Sequence, residues 1–489
     1  MANVAVGALE SDEGTASASF KLSIGFKSRY GFGQFVDGIS TTALTYFAFF
    51  YLSAVCGLSG TLAGMSAFIA LTVDSIADPA IGLLSDSTRA KLGRRHPYML
   101  ASIVPIAIAF GLFFMMPRTL TGFPLFAYVT ALSIVLRVSV SVFNLPYIAM
   151  GAELTDDYRE RSTIVAYRVL FGTVANFVCF GLALGVFMKG QNGLLDRAAY
   201  IPFGWTCAAV ILAGGLIAAL GTRSAIGRLH SAVARQGSIV GQFIRELSEI
   251  FRSRSFMMLF IGALIFFIAQ GAAAALTIHA NKYFWHLSAG AVQGVILGLA
   301  LGPLVGIPLT AVMLRFVDKR TVAVGGLLIF CVSQFTLPFL RIYGVLPADG
   351  ALLTSVLVVN AVILGAALAA GVIGFQSMMA DAADEHEYVF GTRREALFYA
   401  GLTLAAKTAG GLGSLIAGVA MDAIDFPSNL AAKGSVLHLA PAVLRDLGII
   451  SGPLPAFITA FGALMLFGYR LDQKKHDAIR AALKSKAKS

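Results

Sequence analysis

Charged residues are scarce in this chain. Lys, Arg, Asp and Glu together make up 13% of its 489 residues, about half the share found in a soluble globular protein. Hydrophobic residues account for 57% of the chain, and the mean hydropathy is +0.79. This composition excludes an ordinary soluble domain and indicates an integral membrane protein.

Several signatures of catalysis and cofactor binding are also missing. The four cysteines are isolated within or beside apolar segments, without the paired spacing of a zinc or redox site. No Walker sequence for ATP occurs. The polar residues of the apolar segments do not supply a nucleophile, a base and an orienting group. We therefore expect neither an enzyme nor a bound cofactor.

Apolar runs of about 20 residues, the length that crosses a hydrocarbon core of roughly 30 Å, recur along the chain. The short alternating segments typical of a membrane barrel do not. The sequence therefore predicts an all-α integral membrane protein with twelve transmembrane helices. The predicted spans, in chain order, are residues 30–55, 59–85, 97–116, 122–150, 163–188, 200–221, 254–280, 287–314, 321–340, 350–376, 395–421 and 450–470.

The longest polar connection, residues 222–253, predicts a cytoplasmic linker between two six-helix bundles, residues 30–221 and 254–470. Residues 1–29 and the basic residues 471–489 are expected to form tails. Of the 37 Lys and Arg residues, 27 lie in these tails and the loops on their side, and seven in the opposite loops. The positive-inside rule places both termini in the cytoplasm, as expected for a plasma-membrane protein of a bacterial inner membrane.

The net charge of +11 concentrates on this predicted cytoplasmic face. Anionic lipid beside the face explains the charge, so no nucleic-acid partner is needed. The expected partners are the bilayer and a small molecule, and we expect a monomer.

Two acids, Asp74 and Asp78, lie four residues apart in the second apolar span and therefore share one helical face. Each charge at a helix centre costs about 2.5 to 3.5 kcal/mol, so retained acids are usually functional. Pro79 follows directly and cannot donate to the Ser75 carbonyl. Two carboxylates and a free carbonyl oxygen suit a sodium ion or a proton. The alternative is a purely structural pairing with a basic residue, either Lys407 or Arg168.

A stripe of polar residues follows one face of the first span, and further polar residues occur in spans 5 and 11. These residues are Gln34, Asp37, Thr41 and Thr45, then Arg168 and Asn176, then Tyr399, Thr403 and Lys407. Such groups predict a common interior site, in which an acid and a base bind adjacent sugar hydroxyls. The alternative is that they only hydrogen-bond the helices together.

Span 4 contributes two further polar residues. Arg137 either lines a pathway or pairs with an acid of another helix. Asn144, two residues before Pro146, either joins the substrate site or satisfies the backbone that this proline frees.

Charged clusters follow spans 2, 4 and 10 on the predicted cytoplasmic face. They contain Asp86, Arg94 and Arg95 after span 2, Arg161 after span 4, and Asp381 and Asp384 after span 10. We interpret them as gating residues, whose salt bridges between the halves close the cytoplasmic side. The alternative is plain solvated loops.

A set of short motifs occurs in order along nearly the whole chain. They are Tyr30-Gly-Phe-Gly33, Asp74-x-x-x-Asp-Pro-x-x-Gly82, Ser85-Asp86, Gly93-Arg-Arg-x-Pro97, Asn144-x-Pro-Tyr147, Glu160-Arg161, Tyr167-Arg168 and Ala380-Asp-x-x-Asp384. Together they resemble the glycoside-pentoside-hexuronide:cation symporters, the melibiose permease-like family of the major facilitator superfamily. The resemblance implies the two-bundle fold of that superfamily.

The resemblance also implies roles for individual residues. Asp74 and Asp78 match the cation-site acids of the family, and Thr403 matches a further cation ligand. Arg168 matches a sugar-site arginine, and Lys407 the charge that links the two sites.

Several positions depart from the family pattern. The sugar-binding acid of the first helix aligns with Gly38, which leaves Asp37 one residue early. Asn144 replaces a third acid of the site, Ala77 an asparagine and Val372 a tryptophan. Fewer sodium ligands favour proton coupling.

We therefore predict a secondary active symporter that imports a glycoside, pentose or hexuronide together with a proton or a sodium ion, held at Asp74 and Asp78. Two rivals stay open. One keeps the fold and carries a lysolipid or another amphiphile, and the other is a sensor that binds sugar without transporting it.

Overall fold

The computed structural model describes residues 22–155, 157–190, 192–228, 251, 253–391, 395–433, 439–469, 471 and 473–486. Most of the predicted N-terminal tail and most of the predicted linker lie outside these residues. The tail was predicted to extend to residue 29, but the first helix already begins at Ile24, where Ser23 caps it. The helices α1 to α13 are Ile24–Val55, Gly60–Ser87, His96–Phe113, Gly122–Glu153, Arg159–Phe187, Arg197–Gly227, Arg254–Phe284, Ala289–Met313, Lys319–Ile342, Ala351–Phe390, Glu395–Ala423, Pro441–Gly468 and Gln473–Lys486.

Twelve helices of the described chain, α1 to α12, are long and apolar enough to cross a membrane. The predicted all-α class and number of spans are confirmed. Helices α1 to α6 form one half and α7 to α12 the other, as in the major facilitator fold predicted above.

Because the number of spans is even, α1 begins and α12 finishes at the same end of the bundle. We call this the terminal end and the opposite one the far end.

Local sequence sets where several helices begin. Ser59 and Ser253 are the N-caps of α2 and α7, and each side chain accepts a hydrogen bond from the backbone N–H three residues on. The carboxylate of Asp196 caps α6 in a similar way. Caps of this kind satisfy donors that have no partner in the first helical turn.

The largest error in the predicted spans concerns α10, which continues to Phe390 rather than finishing near residue 376. The acidic segment after span 10 is therefore helical and not a loop. It extends because Met378, Met379 and Ala382 on its inner face are buried in an apolar cluster of the second half. The helix stops at Gly391, whose φ of 76° suits the left-handed conformation that glycine adopts readily.

Helices of the two halves meet mainly at the far end and along α2 and α11. Phe50 of the first half and Phe426 of the second belong to one buried apolar cluster that crosses between the halves. At the terminal end, the buried cluster around Phe256 and Phe398 contains residues of the second half alone. The described conformation is therefore closed at the far end.

The contact between α2 and α11 depends on small residues. Gly60 faces the Gly418 backbone, and Gly64 faces that of Ser414. Small residues let two helix backbones approach closely, which is a main source of helix association inside lipid.

A glycine-to-alanine change tests this contact. A Cβ at Gly64 would overlap the Ser414 carbonyl oxygen and lie 2.8 Å from Leu415 Cα. We expect Gly64→Ala to destabilise the purified protein by roughly 1–3 kcal/mol, as overpacking does, measured as a lowered midpoint of thermal unfolding in detergent.

The matched control lies on the same helix. A Cβ at Gly82 would meet nothing within 4 Å, so Gly82→Ala should leave the midpoint nearly unchanged. Equal midpoints for the two variants would contradict the proposed close contact.

Candidate functional site

An ion pair joins the two halves in the middle of the bundle. Lys407 of α11 places its ammonium nitrogen 2.8 Å from Asp74 Oδ2 and 2.5 Å from Asp78 Oδ2, both on α2. The two acids lie on one face of α2, as their spacing predicts. The structure thus shows the pairing with Lys407 that the sequence analysis gave as the alternative to a cation site, although Lys407 lies more than 300 residues after both acids.

Helix α4 adds a ligand that the sequence analysis missed. Ser141 donates to Asp74 Oδ1 at 2.7 Å and lies 3.4 Å from the Lys407 ammonium. Both oxygens of Asp74 therefore have partners. The only sequence signal for Ser141 is its spacing, one helical turn from both Arg137 and Asn144.

Two buried acceptor oxygens, one on α2 and one on α4, have no donor in the described part of the chain. Asp78 Oδ1 is buried and accepts no hydrogen bond, and neither does the buried Asn144 Oδ1. Helices α2 and α4, which carry these residues, pack against each other. Buried acceptors without donors are uncommon, and a proton, a cation or a water molecule would satisfy them.

The polar stripe of α1 is organised around Asp37. Gln34 donates to one carboxylate oxygen of Asp37 at 3.1 Å, and the Thr41 hydroxyl to the other at 3.3 Å. Asp37 also lies close enough to Lys407 and Asp74 to interact with both electrostatically. The predicted substrate residue Asp37 therefore faces the central ion pair, and the predicted substrate residue Thr41 is hydrogen-bonded to Asp37.

Close packing explains why the acid is at residue 37 and not at residue 38. A Cβ at Gly38 would lie 2.8 Å from Ala175 Cβ, so position 38 faces α5 with no room for a carboxylate. With its amide nitrogen turned towards α1, Asn176 of α5 donates to Thr42 Oγ1 at 2.8 Å. Asn176 therefore holds α1 and α5 together, in agreement with the packing alternative for this residue.

Arg168 lies at another level of the bundle. Arg168 is beside the Tyr30 hydroxyl. Tyr30 lies on α1 two helical turns from Asp37, towards the terminal end. The Tyr30 ring stacks on Tyr147 with centroids 4.5 Å apart, and each tyrosine hydroxyl donates to the other's carbonyl oxygen. The structure thus groups Arg168 with this tyrosine pair.

Two predicted site residues of α11 lie towards the terminal end from Lys407. Thr403 is one helical turn away, and its side chain is exposed. The side chain of Tyr399 lies outside the described part of the structure.

Three of the charged residues predicted as gates, Asp86, Arg94 and Arg95, form ion pairs within the first half. Arg94 and Arg95 both lie 2.7 Å from Glu153, and Arg95 also lies 2.6 Å from Asp86. Arg161 donates to the Thr155 carbonyl oxygen at 3.2 Å. Glu153, the shared acceptor, lies in the charged segment after span 4 but was not among the named gating residues.

The corresponding acids of the second half also pair within their own half. Asp381 lies 2.7 Å from Lys319, and Asp384 lies 3.1 Å from His476 of α13. Ion pairs between the halves at this end stay a prediction for a conformation closed at the terminal end.

A hydrogen-bonded contact between Asp422 of α11 and the start of α2 joins the halves at the far end. We call this contact the latch, and the sequence analysis missed it. Asp422 of α11 accepts from the Gly60 and Thr61 backbone N–H groups, each at 2.8 Å. These donors belong to the first turn of α2, where the helix dipole favours a negative charge. Nearby, Ser53 of α1 is 3.1 Å from the His279 ring nitrogen of α7.

The latch predicts an effect on accessibility. Removing a helix cap costs about 0.5–2 kcal/mol, which corresponds to roughly a 2- to 30-fold change in an equilibrium. In a variant that keeps Cys56 as its single cysteine, Asp422→Ala should raise labelling of Cys56 by a membrane-impermeant thiol reagent within that range.

The control is Asp446→Ala, which removes a partly exposed acid paired only with its neighbour Arg445 in the described chain. It should leave the labelling rate unchanged. An unchanged rate in Asp422→Ala as well would show that the latch does not hold the far end closed.

Twelve spanning helices in two halves, with an ion pair buried between them, define a transporter of the major facilitator superfamily. A sequence model described as MFS/sugar transport protein matches residues 29–473. The chain belongs to this family, among the glycoside-pentoside-hexuronide symporters, and it is a multi-pass membrane protein.

Individual relatives agree with this assignment. An uncharacterized symporter of Synechocystis is 25% identical, covering 95% of this chain and 97% of the relative. The isoprimeverose transporter of Lactiplantibacillus pentosus is 23% identical, covering 91% and 88%.

A bacterial homolog of the human lysosomal transporter Spinster, solved in an inward-facing and unoccupied conformation, superposes with a TM-score of 0.61. The superposition covers 95% of this chain and 99% of that one. At 13% identity, this likeness shows the fold alone.

Proposed function

We propose that this protein is a secondary active symporter that imports a sugar together with a proton or a sodium ion by alternating access. The observation that carries the proposal is the bridge from Lys407 across the halves to Asp74 and Asp78. A basic side chain holds the two acids in the described conformation, and a mobile cation replaces it during transport.

The charges of the site favour one monovalent cation. Two carboxylates and one ammonium leave a single negative charge, and Asp78 Oδ1 has no donor among the described residues. The site is not sealed, because the side chain of Lys407 is 28% exposed and that of Asp78 is 16% exposed. Protonation of either acid, or a sodium ion beside it, weakens its attraction for Lys407.

Weakening this attraction couples the ion to the movement of the halves. Lys407 belongs to the second half and both acids to the first, so a cation on the acids loosens a contact between them. An ion pair that both halves share is the kind of element that has two discrete arrangements. The cation therefore changes which end of the bundle is open.

The proposed sugar site is the surface formed by Asp37, Thr41 and Lys407, with Asn144 beside the ion pair. Carboxylate, hydroxyl and ammonium groups within one cavity bind sugar hydroxyls directionally. Arg168, Tyr399 and Thr403 lie towards the terminal end of α5 and α11, where they contact substrate on the way to that end. The name of the isoprimeverose transporter supports a glycoside as substrate.

The terminal end is proposed to face the cytoplasm of a bacterial cell, following the distribution of Lys and Arg. The described conformation is then closed to the outside and reached from the inside. One charge crossing 100 mV contributes about 2.3 kcal/mol, enough for roughly 50-fold accumulation with one ion per sugar. We propose that the monomer is the transporting unit.

Uptake into proteoliposomes tests the proposal directly. A panel of glycosides, pentoses and uronates is offered while a proton gradient and a sodium gradient are imposed separately. Accumulation driven by one gradient identifies the coupling ion. Accumulation of a lysolipid in place of every sugar would favour the amphiphile carrier, and sugar binding without uptake would favour the sensor.

Replacing one acid separates coupling from binding. Asp78→Asn removes the charge that the mobile cation neutralises, so gradient-driven accumulation should fall at least tenfold while counterflow exchange of labelled sugar partly persists. Asp446→Asn, outside the site, should behave as the wild type does. Normal accumulation by Asp78→Asn would remove Asp78 from the coupling role.

A further inference from the structure

Arg137 of α4 lines a small internal cavity that lies between the two halves. The cavity has a volume of about 30 Å³, enough for about two water molecules. Its walls come from α1, α2, α3 and α4 of the first half and from α7 and α11 of the second. The polar residues of the wall are Thr45, Ser66, Ser133, Arg137 and Ser414.

The charge of Arg137 has no contacting partner among the described residues. Asp74 acts on it electrostatically, but the two oxygens of Asp74 are held by Ser141 and Lys407. No carboxylate lines the cavity itself. An unpaired guanidinium in a membrane interior is costly, so an anion is expected to visit it.

The hydroxyl groups of the wall suit the same anion. The Ser66 hydroxyl is 1% exposed and has no hydrogen-bond partner. The Ser414 hydroxyl already donates to the Gly410 carbonyl oxygen at 3.2 Å. A guanidinium accompanied by the free Ser66 hydroxyl is still a set of donors that matches a carboxylate. The volume accommodates such a group but not a whole sugar ring.

The polar stripe of α1 connects this cavity with the proposed sugar site. Thr45 lines the cavity, Thr41 lies one turn away on the same face, and Asp37 lies one turn beyond Thr41. A single ligand can therefore place its hydroxyls at Asp37 and its carboxylate at Arg137.

We propose that Arg137 is a specificity-determining residue that binds the carboxylate of the substrate, so that the transported sugar is an acidic one. The inference rests on the proposed function and narrows its substrate class from sugars in general to carboxylate-bearing sugars. It gives Arg137 a role apart from the coupling acids, because the guanidinium meets the substrate and not the ion.

Matched pairs of sugars test the proposal. Glucuronate and glucose, like galacturonate and galactose, differ in whether carbon 6 is a carboxylate or an alcohol. In proteoliposomes, the wild type should take up each acid roughly 10- to 100-fold better than its neutral partner, the ratio expected for a charge-assisted hydrogen-bonded pair.

Arg137→Gln should abolish most of this preference while the neutral sugars keep their low uptake. Arg137→Lys keeps the charge and should retain part of the preference. Arg118→Gln, a change outside both sites, should leave the ratio unaltered. Thermal unfolding gives a second measurement that needs no transport: glucuronate should raise the midpoint of the wild type but not of Arg137→Gln, and glucose should raise neither.

Three results would overturn the inference. If the wild type prefers the neutral sugar of each pair, Arg137 does not select a carboxylate. If Arg137→Gln lowers both members of a pair equally, Arg137 is an alternative partner of Asp74 that acts when Lys407 leaves. If no sugar of either kind is taken up or bound, the proposed function itself fails.

Discussion

The shared contact of one ammonium with two carboxylates is the constraint on which the arrangement of this protein depends. Charges inside a membrane are costly unless they are paired, and Asp74 and Asp78 on α2 have Lys407 of α11 as their basic partner in the described conformation. Since the partners belong to different halves, the same contact neutralises the acids and holds the halves together. Any cation that competes for the acids also acts on the contact between the halves.

The far end is held together by forces of a different kind. Glycines let α2 and α11 pack backbone to backbone, and the Asp422 carboxylate caps the first turn of α2. These contacts are short in range and are lost together when the helices separate. At the terminal end, the ion pairs around Glu153 and Asp381 stay within their own halves. The molecule thus combines a far end closed by short-range contacts between the halves with a central ion pair that also joins them.

The candidate site could be predicted in part because lipid makes polar residues conspicuous. Asp74, Asp78 and Lys407 stand out as charges in apolar segments, and the structure pairs them as the structural alternative in the sequence analysis described. The acidic segment of α10 was misread as a loop because its charges hide an apolar inner face. Ser141 and Asp422 gave little signal, since a serine inside a helix or an acid at a helix end is ordinary until its partner is known.

The sequence by itself determined the class, the number of spans and the residues whose presence in lipid needs a reason. It could do so because each spanning segment must satisfy its own backbone hydrogen bonds, which makes the helix a local property of the chain. Only the tertiary structure decided the partners. Lys407 reaches Asp74 across 333 residues, position 38 is filled by α5, and Arg137 faces a cavity built by six helices. Those outcomes depend on how helices rotate and approach one another, which no single segment encodes.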